Sequence, residues 1–356
     1  MSLQRLRLIL SDFHLGNGRH RDDGTINPLE DFSCDQEFVE LLTYYDREKS
    51  EADLELVLNG DFFNMIQLEP SEQELGILTE RSAVEKMKAI LAGHPEIISI
   101  LRSFNASDKR RIVFVMGNHD PQLIWTAVQG LLREAIEGEL VFVDDTYVVD
   151  GVHIEHGHQI ENIFRMEKER YFLTKGYPEP VLNLPWGVFF VKDLLYRLKR
   201  RRPYVDKVRP YGKFWRWCFF NDFFFGVFAA ILYIGFIFKT RFSRLPLKRA
   251  GAFHGFKAIF NLSASPTLTE DAALILQGED CKLVVLGHTH IPIHIRLAGG
   301  EYINPGTWND VTYLDLQNLG HRRKLYYVLV ELKEEGPNGK LYEWHGRQLP
   351  FSEARL

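Results

Sequence analysis

Ile112-Val113-Phe114-Val115-Met116-Gly117-Asn118-His119-Asp120 is the stretch on which the fold turns. Five apolar residues in a row suit a strand covered on both faces, and the abrupt change to Gly, Asn, His and Asp marks a loop beyond its carboxyl end. In open α/β sheets ligands gather at that end of the strands. The pattern recurs three times: residues 6–10 run into Ser11-Asp12-Phe13-His14, residues 54–58 into Asn59-Gly60-Asp61, and residues 283–286 into Gly287-His288-Thr289-His290. Four such loops are expected to converge on one place in an α/β fold.

Between these strands lie helical patterns at residues 36–45 and after Asp120, where Pro121 suits a first helical position and Asp120 a cap. Thr267 with Glu270 reads as a capping box opening a helix that ends near Gly278. Residues 141–149 and 152–155 alternate about Asp150-Gly151, a hairpin signal, and further strands are expected at 291–297 and 325–332. No repeat or low-complexity tract is found, and the tail after Gly336 gives no signal.

The chain has 356 residues, enough for one large domain or two, with 45% hydrophobic and 26% charged residues, ordinary for a soluble protein. Its net charge of −5 conceals a strongly basic stretch at residues 197–249, so the global balance says little about partners. Cys34, Cys218 and Cys281 are odd in number and form no CxxC pair, so neither a disulfide framework nor a thiolate metal site is indicated. A reducing cytoplasm fits best, and no leader is legible at Met1.

Asp12 and His14 stand two apart at a strand end, so both side chains can point to one face and grip one ion. Asp61 ends a second strand after Gly60, whose missing side chain permits close approach. Asn118 and His119 are neighbours, so one can bind metal while the other faces substrate. His156 and His158 flank Gly157, and His288 and His290 flank Thr289. Any one of these pairs alone is an ordinary turn or a pair of hydrogen-bonding histidines. Five clusters of Asp, Asn and His, each just past a strand, point instead to metal. Imidazole, amide and carboxylate donors without thiolate suit Mn²⁺, Fe²⁺ or Zn²⁺ and argue against Ca²⁺ and Mg²⁺.

The ordered set Asp12-x-His14, Gly60-Asp61-x-x-Asn64, Gly117-Asn118-His119-Asp120, His156 and Gly287-His288-x-His290 resembles the calcineurin-like metallophosphoesterase superfamily, over roughly residues 5–160 and 265–315. Asn304-Pro305-Gly306-Thr307 looks like its closing strand and turn. The resemblance implies a four-layer αββα sandwich with a helical lid insertion. It also implies one divalent ion on Asp12, His14, Asp61 and His290, and a second on Asp61, Asn118, His156 and His288, with Asp61 bridging and Mn²⁺ the expected metal. His119 would face the scissile phosphate, and His158 would either support the ligands from behind or touch substrate. Many members carry an acidic residue at the position of Asn64 to orient that histidine, so His119 either has a lowered pKa or borrows Asp120.

Residues 160–255 interrupt the pattern and divide the chain into a core of 1–159 and 256–356 and a basic, aromatic lid. Arg197 and Arg201 lie in its basic run and are candidates for holding substrate. Residues 223–238 are uncharged, about 16 residues against the roughly 20 a spanning helix needs. The ligand motifs precede and follow this stretch and must meet, which excludes a single crossing. It reads either as a core helix of the lid or as a membrane-seating surface whose Lys and Arg meet anionic headgroups.

The second reading resembles the UDP-2,3-diacylglucosamine pyrophosphatases, although those usually carry Arg where this chain has His119, and this insertion is larger. The expectation is a hydrolase of a phosphodiester or pyrophosphate bond in a lipid-linked substrate, peripheral on the inner face of the cytoplasmic membrane. A soluble nuclease is the alternative, but nucleic-acid grooves interleave single aromatics with basic residues, so nucleic acid is disfavoured as a partner. A metal-free scaffold of the same fold is the third reading.

Overall fold

The computed structural model describes residues 4–21, 23–66, 78–209, 211–258, 267–313, 320–346 and 350–354. The four apolar runs form the strands Arg5–Leu10, Asp53–Asn59, Arg110–Val115 and Leu283–Leu286. The first three are parallel neighbours in a seven-stranded sheet, flanked by Leu140–Val143 on one side and by Leu325–Lys333, Gly336–Trp344 and Phe351–Glu353 on the other. The fourth lies in a five-stranded sheet, parallel to both Val152–Glu155 and Gly300–Asn304.

Side-chain alternation along these strands builds the layers. Ile9, Val57, Val113 and Val115 of the first sheet meet Val152, Ile154, Leu283, Val285 and Ile303 of the second in a core between the two sheets. Leu8, Leu56, Leu58, Ile112 and Phe114 point the other way, into a core shared with the helices Asp35–Glu48, Glu80–Gly93, Pro95–Phe104 and Thr126–Ile136. Val284, Leu286 and Tyr302 face the helix Thr269–Gly278. β-branched residues dominate between the sheets, where a flat, stiff side chain packs well, and Leu and Phe fill the deeper space beneath helices. The result is the αββα sandwich.

Four expectations are corrected. Residues 141–149 are not one strand: Leu140–Val143 ends the first sheet and Thr146–Val149 begins the edge of the second, so the chain crosses between sheets at Asp144-Asp145. The hairpin about Asp150-Gly151 is present, with both residues at positive φ as a tight primed turn requires. Pro121 opens a 3₁₀ turn, Pro121–Ile124, rather than the helix, which begins at Thr126, and the Asp120 side chain does not cap. No capping box forms at Thr267: Leu268 is the N-cap, at φ 54°, with no side-chain cap. The tail that carried no signal supplies Gly336–Trp344, paired along its whole length with Leu325–Lys333.

The insertion contains a π-helical turn at Phe190–Leu195 between Trp186–Phe189 and Tyr196–Lys199, then the helices Tyr211–Asn221, Phe223–Arg241 and Pro246–Ala258. Its buried side chains join the core on the helical side of the first sheet. Lys199, fully buried, bonds Asp31 of the core and stands 2.9 Å from Asp206, while Lys207 reaches Asp31 at 3.0 Å. Val208–Arg209 pairs in parallel with Val311–Tyr313.

The helix Phe223–Arg241 buries Phe225, Ala229, Phe236 and Thr240 on one face. Its other face is equally apolar and open: Phe224 is 87% exposed and Phe238 71%.

Candidate metal centre

Where the strands end, the backbone turns through conformations that L residues avoid. Asp12, His14, Asp61, His288 and His290 all have positive φ, and they are five of the eight non-glycine residues in that state among the described residues. Each such residue costs of order 1 kcal/mol, and clustered strain of this kind marks places where geometry serves function. The preceding glycines are fixed by contact. A Cβ on Gly60 would lie 2.5 Å from the His156 ring, one on Gly117 2.2 Å from Asp61 Oδ1, and one on Gly287 2.1 Å from Ser11 Oγ. The turn at residues 304–309 pins these loops: Thr307 Oγ1 donates to the Asp12 carbonyl at 2.6 Å, Asn309 Nδ2 to the Asp12 and Phe13 carbonyls, and Asn304 Nδ2 to that of Gly287.

The side chains meet around one carboxylate in two groups, and His119 stands with His14 and Asp61 in a third. In the first, His290 Nε2 stands 3.1 Å from His14 Nε2 and 3.2 Å from Asp12 Oδ1. In the second, His156 Nε2 stands 3.3 Å from Asn118 Oδ1, and His288 joins it and Asp61. Asp61 Oδ2 lies between them, 3.9 Å from His14 Nε2 and 3.3 Å from His156 Nε2. All seven candidate ligands are therefore drawn together, with Asp61 between the two groups. His156 presents Nε2 inward because its Nδ1 donates to the Asn59 carbonyl at 3.0 Å, the orienting bond that metal-binding imidazoles commonly make.

The donor set fits cations. Asp12 Oδ1 is buried without a hydrogen bond. Burial, and then the neighbouring His119, drive His14 down to about 3, so its ring is neutral and has a lone pair to offer. Burial pulls His156 down too, but Asp61 and Asp12 outweigh it and push the group up to about 10, so the potential at this point favours positive charge. Burial likewise raises Asp61, yet His156 and His119 hold its carboxyl well below the usual range.

Around the seven, the remaining candidates sort themselves. His119 donates its backbone N–H to Asp61 Oδ1 at 2.7 Å and sets its ring edge-on to His14. Its Nδ1 lies 3.3 Å from Asn64 Oδ1. Asp120 does not serve His119: its oxygens accept from the amides of Gly117, Phe62 and Phe63, which ties the Asn118 loop to the Asp61 loop. Burial, and then Asp61, push it up to about 7. His158 is buried beside His156 with neither ring nitrogen hydrogen-bonded. Arg197 is exposed, and Arg201 stacks on Phe228 at 3.9 Å, so the structure gathers neither at the centre.

Two residues of the insertion reach the site without having been singled out. Tyr196 donates to Asn64 Oδ1 at 2.7 Å, and Glu161 Oε1 stands 3.4 Å from His288 Nε2. Neither belongs to a recurrent motif, and only the fold reveals them.

No curated protein sequence matches the chain. Among solved structures, it overlaps loosely with a predicted phosphoesterase from Streptococcus pneumoniae (11% identity, 99% of each chain covered, TM-score 0.30). It overlaps similarly with vacuolar protein sorting 29 from Cryptosporidium parvum (13% identity, 99% of this chain and 97% of that one, TM-score 0.31). A third such structure is the phosphopantetheinyl hydrolase of Mycobacterium tuberculosis (12% identity, 86% of this chain and 91% of that one, TM-score 0.31). The family model for calcineurin-like phosphoesterases matches residues 7–213, more than half of the chain. On that match, the protein belongs to the calcineurin-like phosphoesterase family.

Proposed function

We propose that this chain is a two-metal hydrolase that cleaves a phosphodiester or pyrophosphate bond in a lipid-linked substrate at an anionic membrane surface, with Mn²⁺ as its working metal. The observation that carries the hydrolase reading is Asp61 Oδ2 lying between the imidazoles of His14 and His156. Asp12, His14, Asp61 and His290 would hold one ion and Asp61, Asn118, His156 and His288 the other. A pair of ions so held lowers the pKa of an attacking water and steadies the entering and departing oxygens of an in-line displacement. His119, held beside Asp61 with its ring against His14, would meet the substrate and stabilise the departing oxygen by hydrogen bonding.

The lipid reading is supported by the insertion. The helix Phe223–Arg241 is long and apolar enough to cross a membrane, with 28% of its most apolar window buried. It does not cross, because Asp12, Asp61 and His156 before it meet His288 and His290 after it in one centre. Phe220, Phe224, Phe238 and Phe242 are all more than 70% exposed, and exposed Lys239, Arg241, Arg244 and Arg249 follow at the carboxyl end of the helix, next to Phe238 and Phe242. Apolar rings next to clustered cations suit an interface in which rings enter the acyl region and cations meet phosphates.

Two assays check the parts separately. Purified protein with Mn²⁺ is expected to hydrolyse an aryl phosphodiester, and full retention of turnover in Asp61→Ala overturns the metal mechanism. Sedimentation with vesicles containing anionic phospholipid is expected, and protein that stays in the supernatant removes the membrane part.

A further inference from the structure

Asn64 occupies a place where an amide, unlike a carboxylate, has two chemically different ends, so something must decide which end faces His119. Its oxygen lies 3.3 Å from His119 Nδ1 and also 2.7 Å from the hydroxyl of Tyr196. A hydroxyl hydrogen-bonds either end of an amide, but Tyr196 stands at the oxygen, where it donates. An amide oxygen has two lone pairs and is satisfied by two donors. The pair of contacts is therefore consistent with one assignment: the Tyr196 O–H and the His119 Nδ1–H both donate to Asn64 Oδ1, which leaves His119 Nε2 as the nitrogen free to meet substrate. Asn64 is 1% and Tyr196 4% exposed, so water has little access to substitute for either.

Tyr196 comes from the insertion, and its position is set by two features of it. The π-helical turn Phe190–Leu195 ends immediately before it, a geometry that shifts side-chain register and recurs at functional sites. One turn on, Lys199 locks the same helix face to the core through Asp31. We infer that Tyr196 is a positioning residue for the reaction: through Asn64 it fixes the tautomer and angle of the His119 ring, so that the insertion completes the catalytic arrangement as well as covering it. This rests on the hydrolase reading for its consequence in turnover, but the ring state it predicts stands apart from activity.

Tyr196→Phe removes one oxygen and keeps the ring, so packing is retained. In the Mn²⁺-loaded protein kcat for the aryl phosphodiester is expected to fall about tenfold, with KM and metal content unchanged, as for a lost orienting contact. In an Asn64→Ala background the same change is expected to cost nothing further, because the intermediary is gone. The metal-free protein supplies a readout independent of turnover. Long-range ¹⁵N spectra of the imidazoles are expected to show His119 with its proton on Nδ1 in the wild type and tautomeric averaging in Tyr196→Phe. Unchanged His119 nitrogens in Tyr196→Phe, or equal losses in the wild-type and Asn64→Ala backgrounds, overturn the inference. Absent turnover in the wild type, with the ¹⁵N shifts as expected, overturns the hydrolase reading and leaves the relay standing.

Discussion

Gly60 shows how tightly single residues are specified at the centre. Its φ is +75° and an added Cβ would lie 2.5 Å from the His156 ring. Gly60→Ala is therefore expected to lower stability by about 1–3 kcal/mol in urea unfolding and to displace His156. Wild-type stability and Mn²⁺ affinity in that variant would contradict the packing argument. Away from the centre, His94 bonds Asp35 at 2.7 Å and stands 3.5 Å from Glu30. Burial lowers its pKa, but those carboxylates reverse this and raise it to about 9, above the ordinary imidazole value. A raised folded pKa means the contribution is complete below about pH 6.5 and lost as pH rises to about 9. Up to about 3 kcal/mol of unfolding free energy is expected to disappear across that window, and less of it in His94→Gln. The seven candidate ligands were legible because metal chemistry demands particular residue types at strand ends. Tyr196, Glu161 and Asn309 were not, because one tyrosine, one glutamate or one asparagine in a long chain carries no pattern until the fold brings it to the site.

At the scale of elements, the helix Phe223–Arg241 is the one whose surroundings least match its composition. An all-round apolar helix is ordinarily buried, yet half of this one faces outward. Phe224→Asp is expected to leave the melting temperature and turnover of a water-soluble diester unchanged and to weaken vesicle binding about tenfold or more. Unaltered binding would show that another surface seats the protein. The parallel strands were readable from sequence because burial on both faces leaves unbroken apolar runs such as residues 112–116. The break at Asp144-Asp145 was hidden, because alternation continues across it while the chain changes sheets. Gly336–Trp344 escaped notice since Gly, Pro and Asn at its start read as a loop, although its partner strand supplies every pairing position.

For the whole molecule, the question is how a lid of such different composition is held against an α/β core. Lys199 answers part of it, sealed at 1% side-chain exposure between Asp31 and Asp206. Lys199→Met leaves Asp206 without its cation and Asp31 with Lys207 alone, and is expected to cost about 3–5 kcal/mol, read as a lowered urea midpoint. A loss below about 1 kcal/mol would mean that the lid is held by its apolar packing alone. Four layers arise from alternation along the strands, with mostly Val or Ile between the sheets and mostly Leu or Phe beneath the helices, and this is written in the sequence once strand positions are known. The ring of candidate ligands is the product of that sandwich, since it exists only where both sheets present their loop ends together. Metal content therefore tests the account most directly. Elemental analysis of protein reconstituted with Mn²⁺ and desalted is expected to find two ions per chain in the wild type and fewer than one in Asp61→Ala. A wild type that takes up none, or an Asp61→Ala protein that still holds two, would contradict the shared-carboxylate centre.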